Sequence, residues 1–124
     1  MSINKFFTLF VIFFGFSIFN IVNSQILYNS NLPIVIINTG GAYIPDEPKI
    51  PVNFQIIDNG VGVLNNINDF PNHYNGFCGI ETRGNSTQGL DKKTYSIELW
   101  NSNNEDTSAS LLGMGKEEDW ILHA

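Results

Sequence analysis

The residue types best suited to chemistry in this sequence fall between positions 81 and 95, ETRGNSTQGLDKKTY. Glu81 and Arg83 carry opposite charges. Ser86 and Thr87 supply hydroxyls, Gly84 and Gly89 loosen the backbone, and Lys92 and Lys93 close the stretch. Backbone N–H groups, hydroxyls and lysines together can cradle a phosphate. The same composition also suits a flexible hairpin connection. The stretch matches neither the Walker sequence nor the GxGxxG pattern. Asn85-Ser86-Thr87 is in addition a glycosylation sequon, which matters only in a eukaryotic secretory pathway.

The flanking segments decide where these groups point. Residues 76–83 alternate, with Cys78, Ile80 and Thr82 on one face and Phe77, Glu81 and Arg83 on the other. Residues 92–100 alternate too. Tyr95, Ile97 and Leu99 share an apolar face, and Thr94, Ser96 and Glu98 point outward. Lys93 is in phase with the apolar set and Lys92 with the outward one. A lysine at the margin of a core needs a partner, because an unpaired buried charge is costly. Glu81 on the preceding strand offers one. A Lys93–Glu81 pair reads structurally as a cross-strand contact worth roughly 0.2–1 kcal/mol. It reads functionally as a lysine held by a carboxylate so that it reaches a phosphate. Pattern alone leaves both open.

The rest of the chain is read the same way. Residues 32–38 (LPIVIIN) form a continuous β-branched run, as expected of a strand buried on both faces. Residues 49–58 alternate, with Val52, Phe54 and Ile56 on one face, and Pro51 puts the start of that strand near a sheet edge. Residues 58–76, rich in Asn, Asp and Gly, read as a long irregular loop. Leu111-Leu112-Gly113-Met114 reads as a short packed turn, and a fifth strand begins at Trp120. No stretch has a helical period. The expected class is mainly β or α+β, antiparallel with hairpin connections.

The amino-terminal segment is of another kind. Seven of the ten Phe lie in the first nineteen residues, behind Lys5 and ahead of Val22-Asn23-Ser24. A positive start, an apolar centre and small residues before Gln25 fit a signal peptide over 1–24 and a secreted or cell-surface protein. An uncleaved anchor is the alternative. Residues 25–31 then read as a linker and 32–124 as the domain. Cleavage removes Lys5 and no acid, which takes the formal charge from −6 to −7. Such an acidic domain is a poor partner for nucleic acid or anionic membranes. The single cysteine, Cys78, cannot form an internal disulfide and reads as a small apolar core residue.

Other candidates carry less. Asp58, Asn59, Asn65, Asn66, Asn68 and Asp69 supply oxygens suited to calcium, but their spacing departs from the EF-hand loop, and a solvated loop is the default. His73 and His123 lack neighbours at metal-ligand spacing. Glu117, Glu118 and Asp119 read as a solvated turn. No nucleophile–histidine arrangement stands out, so no catalytic or metal residue is assigned.

Six stretches taken in order resemble one family: SNLPIVIIN (30–38), IPDEP (44–48), GIETRGNSTQ (79–88), KKTYSIE (92–98), LLGM (111–114) and EDWILHA (118–124). Together they look like the amino-terminal part of the CotH kinases, secreted atypical protein kinases that resemble the spore-coat enzyme. The resemblance implies the β-rich amino-terminal lobe of a kinase-like fold. It also implies transfer of phosphate from ATP, with Mg or Mn, to Ser or Thr of extracellular or surface proteins. On that basis Arg83, Asn85, Ser86 and Lys93 are expected near the nucleotide phosphates, with Lys93 the foremost contact. The family's catalytic and metal-binding acids lie in a continuation beyond the Trp-Ile-Leu-His-Ala segment. The chain is therefore expected to be a fragment, inactive alone. A non-catalytic secreted β-domain that binds carbohydrate or protein through its Asn-rich loops and an exposed Trp100 is the alternative, and a structural surface component is a third.

Overall fold

In the computed structural model the described residues are 28–84, 89 and 91–123. The expected leader lies outside them. The fold is mainly β and antiparallel. Nine strands are present among these residues: β1 (Asn29–Ser30), β2 (Ile34–Asn38), β3 (Ile50–Ile57), β4 (Asn65–Asn66), β5 (Tyr74–Arg83), β6 (Thr94–Trp100), β7 (Ala109–Ser110), β8 (Lys116–Glu117) and β9 (Asp119–Leu122). Five of them build one sheet in the order β2-β3-β5-β6-β9, and every neighbouring pair is antiparallel.

The period-two pattern fixes the two faces of this sheet. Val52, Phe54 and Ile56 of β3, Cys78 and Ile80 of β5, and Ile97 and Leu99 of β6 form one buried cluster, closed by Leu111. All of these strand residues belong to the faces that alternation marks as apolar. Ile44 packs on the same cluster, and the segment carrying it is tied to β5 where Thr82 N–H donates to the Pro45 carbonyl (2.7 Å). The opposite face is here called the outward face.

β2 differs from the expectation of a strand buried on both sides. It is an edge strand. Ile34 is buried and Ile37 packs against the core, but Val35 is 38% exposed. The apolar run supplies both faces, and with no strand beyond β2 among the described residues, Val35, on the core face opposite Ile56, stays open to water at the rim. Pro51 is explained by the same geometry. Asn53 is the last β3 residue paired with β2, so Pro51 sits where β3 has a neighbour only on the β5 side.

The loop after β3 is exposed to solvent along much of its length, Val61, Leu64 and Phe70 included, and an amide network orders it. Asn65 is 1% exposed. Its Oδ1 accepts from Asn59 N–H (2.7 Å) and its Nδ2 donates to the Leu32 carbonyl (2.9 Å). Asp69 Oδ2 accepts from Asn59 Nδ2 (2.9 Å) and from Asn66 N–H (2.8 Å), so that oxygen is engaged in holding the loop. Asn29–Ser30, in the stretch read as linker, pairs with Asn65–Asn66 and ties the segment ahead of β2 to this loop.

Candidate functional site

The ladder between β5 and β6 places the sequence-derived candidates. Its register sets Phe77 opposite Trp100, Gly79 opposite Glu98, Glu81 opposite Ser96, and Arg83 opposite Thr94. Glu81, Arg83, Ser96 and Glu98 therefore share the outward face. Lys93 is on the other side, as its phase implies. Its ammonium lies 5.9 Å from the centre of the Tyr43 ring, within cation–π range. It lines a hollow with Tyr43, Thr82, Asp91 and Tyr95. Arg83 lines a different hollow with Thr94, Ile121 and His123. The structure thus separates Lys93 from Arg83 across the hairpin. Asn85 and Ser86 lie outside the described residues.

The expected Lys93–Glu81 pair is replaced by another. Antiparallel pairing of β3 with β5 sets Ile50 opposite Ile80, so the residue before Ile50, Lys49, arrives beside Glu81. Lys49 Nζ lies 4.0 Å from Glu81 Oε1 and donates to Glu98 Oε2 at 3.1 Å. The three side chains are 22–23% exposed. Glu98 is also the register partner of Asp119 in β9. Like charges directly opposite destabilise a sheet, and Lys49 offsets that repulsion. Burial pulls the Lys49 ammonium towards its neutral form. The Glu98 hydrogen bond and the charges of Glu98, Glu81 and Asp119 more than offset this, so its pKa stands above the usual lysine value of 10.5.

Trp100 closes this site from the side. Its ring lies on Gly79, where a built Cβ would fall 2.3 Å from the ring carbon Cζ2. Only glycine lets the indole lie against the strand. The ring is half-buried rather than the exposed platform expected of it, and its Nε1–H is buried without an acceptor among the described residues. An unmet buried donor costs about 1–3 kcal/mol. Lys49, Glu81, Glu98 and Trp100, with Glu47 and Pro48, line an open hollow of about 720 Å³.

His73 and Cys78 resolve as structural. His73 Nε2 accepts from Leu112 N–H at 2.7 Å and anchors the 111–114 turn. Cys78 is fully buried, and burial pushes its thiol up to about 12. Among the described residues no group of three or more His, Cys, Asp or Glu is arranged to hold a metal.

No protein-family model, no curated protein and no solved structure matches the chain.

Sequence reasoning missed Lys49. Its signal was present in the alternation of 49–58, which puts Lys49 on the outward face in phase with Pro51 and Asn53. The missing step was the pairing of two strands separated by a long loop.

Proposed function

We propose that the chain is the nucleotide-lobe part of a secreted CotH-like protein kinase, whose full form transfers phosphate from ATP to Ser or Thr of extracellular proteins. The observation that carries this reading is Lys49 held between Glu98 and Glu81 on the open face of an antiparallel sheet. In kinases a strand lysine paired with a helix glutamate presents its ammonium to the nucleotide phosphates; in this chain Lys49, just ahead of β3, is paired instead with glutamates of β5 and β6. Arg83 lies further along the same face. These donors suit the phosphate oxygens of ATP. The acids around Lys49 do not form a metal cage, so no ligand for Mg or Mn is assigned here. In this reading the foremost phosphate contact moves from Lys93 to Lys49.

The test is calorimetric titration of ATP, with Mg or Mn present, into the protein extended past Ala124 and into its Lys49→Ala, Arg83→Ala and Lys93→Ala variants. Saturable binding that falls at least tenfold in Lys49→Ala and is unchanged in Lys93→Ala is expected. Absence of nucleotide binding in the extended protein refutes the kinase reading. Binding that Lys49→Ala leaves intact refutes only the role of Lys49.

A further inference from the structure

A second hollow, of about 340 Å³, opens on the outward face at the corner where β2 ends. It is bounded by Phe77 and by Asn38, Thr39, Asn53, Ser102 and Asn104. Three properties set its chemistry. No lining residue carries a formal charge. Phe77 is 40% exposed, although it sits mid-strand. The side chains of Thr39, Asn53, Ser102 and Asn104 make no hydrogen bond to any described residue, whereas nearly every Asn of the 58–72 loop does. Asn53, Ser102 and Asn104 face solvent at this corner.

The corner is also held in shape. Asn101 Oδ1 accepts from Asn103 N–H (2.8 Å) and Glu105 N–H (3.2 Å), and Asn101 N–H donates to the Glu105 carbonyl (2.8 Å). Asn104 is fixed in the left-handed region at φ 59°, with its N–H donating to the Asn101 carbonyl (3.1 Å). Asn38 Oδ1 accepts from Gly40 N–H (2.9 Å) and fixes the opposite rim. Fixing the loop before binding lowers the ordering cost that a ligand meets.

We propose that this corner binds a neutral, gluco-configured oligosaccharide, one sugar unit stacking its axial C–H face on Phe77 while its equatorial hydroxyls exchange hydrogen bonds with Asn53, Ser102 and Asn104. Each amide offers a donor and an acceptor, and each hydroxyl does both, which matches a sugar hydroxyl. A purely apolar ligand leaves those groups unmet, at a cost. An acidic sugar finds no counter-charge in the lining and meets a chain of formal charge −6. The volume lies at the small end for ligand sites and suits one ring of a longer glycan. The site is separate from the Lys49 hollow, and the inference does not rest on the nucleotide reading.

The test is an amide-shift titration of the full chain with cellotriose and with chitotriose, using trigalacturonate and an uncharged extended peptide as controls. Saturable shifts centred on Asn53, Phe77 and residues 102–104 are expected with at least one neutral trisaccharide. Phe77→Ala and Phe77→Leu should both weaken binding roughly tenfold or more, and Asn104→Gly, which keeps the backbone conformation, should weaken it several-fold. Lys49→Ala should leave it unchanged. Failure of both neutral trisaccharides to saturate, binding that survives in the folded Phe77→Leu variant, or preference for trigalacturonate or the peptide overturns the proposal.

Discussion

Replacing Gly79 with Ala tests the wall of the Lys49 hollow directly. The added methyl would stand 2.3, 2.5 and 2.7 Å from three ring carbons of Trp100. All three distances are below the separation that carbon atoms tolerate, and an aromatic ring cannot bend away from them. Either the backbone shifts or the whole indole swings out. Overpacking of this kind costs about 1–3 kcal/mol. Removing a mid-strand glycine by itself returns about 0.5–1 kcal/mol through the unfolded chain, so a net loss of up to about 2.5 kcal/mol, centred on about 1 kcal/mol, is expected. Urea unfolding, with an unchanged m value, measures it. A second readout is the fluorescence of Trp100 in a Trp120→Phe background, which should shift to the red as the indole becomes exposed. In a Trp100→Ala background, Gly79→Ala should be neutral or mildly stabilising, because nothing remains to clash. Gly89→Ala, where an added methyl meets nothing within 4 Å, should change stability by less than about 0.5 kcal/mol. Wild-type stability together with wild-type fluorescence in Gly79→Ala would refute the packing of Trp100 on β5, and with it the side wall of the site.

Two further outcomes follow from local geometry. Leu112 and Gly113 have φ of 51° and 78°, and Met114 N–H closes the turn on the Leu111 carbonyl; Leu112→Asn should therefore raise stability by about 1 kcal/mol, read as a higher urea midpoint, since Asn tolerates the left-handed region that Leu does not. Buried Cys78 keeps its proton up to about pH 12, whereas the unfolded thiol releases it near 9.0; the folded state then holds more protons between these values, so stability falls as pH rises through that window by up to about 1.4 kcal/mol per unit, and urea midpoints at increasing pH should fall less steeply in Cys78→Ala than in the wild type.

How far the sequence anticipates this molecule depends on the range of each interaction. Alternation within a strand is local, and it places Val52, Phe54, Ile56, Cys78, Ile80, Ile97 and Leu99 on the buried side as observed. It also puts Lys93 and Arg83 on opposite faces of the hairpin, which weakens any reading in which both meet one phosphate. Partner choice is not local. Lys49 and Glu98 are 49 residues apart, and reading one hairpin by itself assigns Glu81 to the nearest lysine. Whether an apolar strand is central or at an edge is likewise set by sheet order, so the run at 34–38 could not reveal that Val35 faces water. The Asn-rich loop is read correctly as irregular and exposed, but its internal order is hidden for a third reason. Asparagine is common in solvated turns because its amide bonds so readily, and the same property lets Asn59, Asn65 and Asn72 bond to one another and to Asp58 and Asp69.

The division of the sheet into two faces bears on what the outward face is for. The main cluster is assembled almost wholly on the other side, from β3, β5 and β6 under Leu111. At one end of the outward face Ile34 and Ile57 are buried as a register pair, beside the chain segment that the Asn65 amide anchors at Leu32. At the other end the face stays open, and there it holds features that stability does not call for. Glu98 sits opposite Asp119, Trp100 buries an N–H with no acceptor among the described residues, and Phe77 lies exposed beside solvent-facing amides. The first two cost free energy. A lysine 23% exposed returns little of it, since ion pairs near the surface are worth at most about 1 kcal/mol. An open face that is costly in this way is where binding groups are expected. Substitutions at Lys49, Phe77 and Asn104 should accordingly alter ligand binding with little effect on unfolding, whereas changes at Ile80, Ile97 or Leu99 should do the reverse.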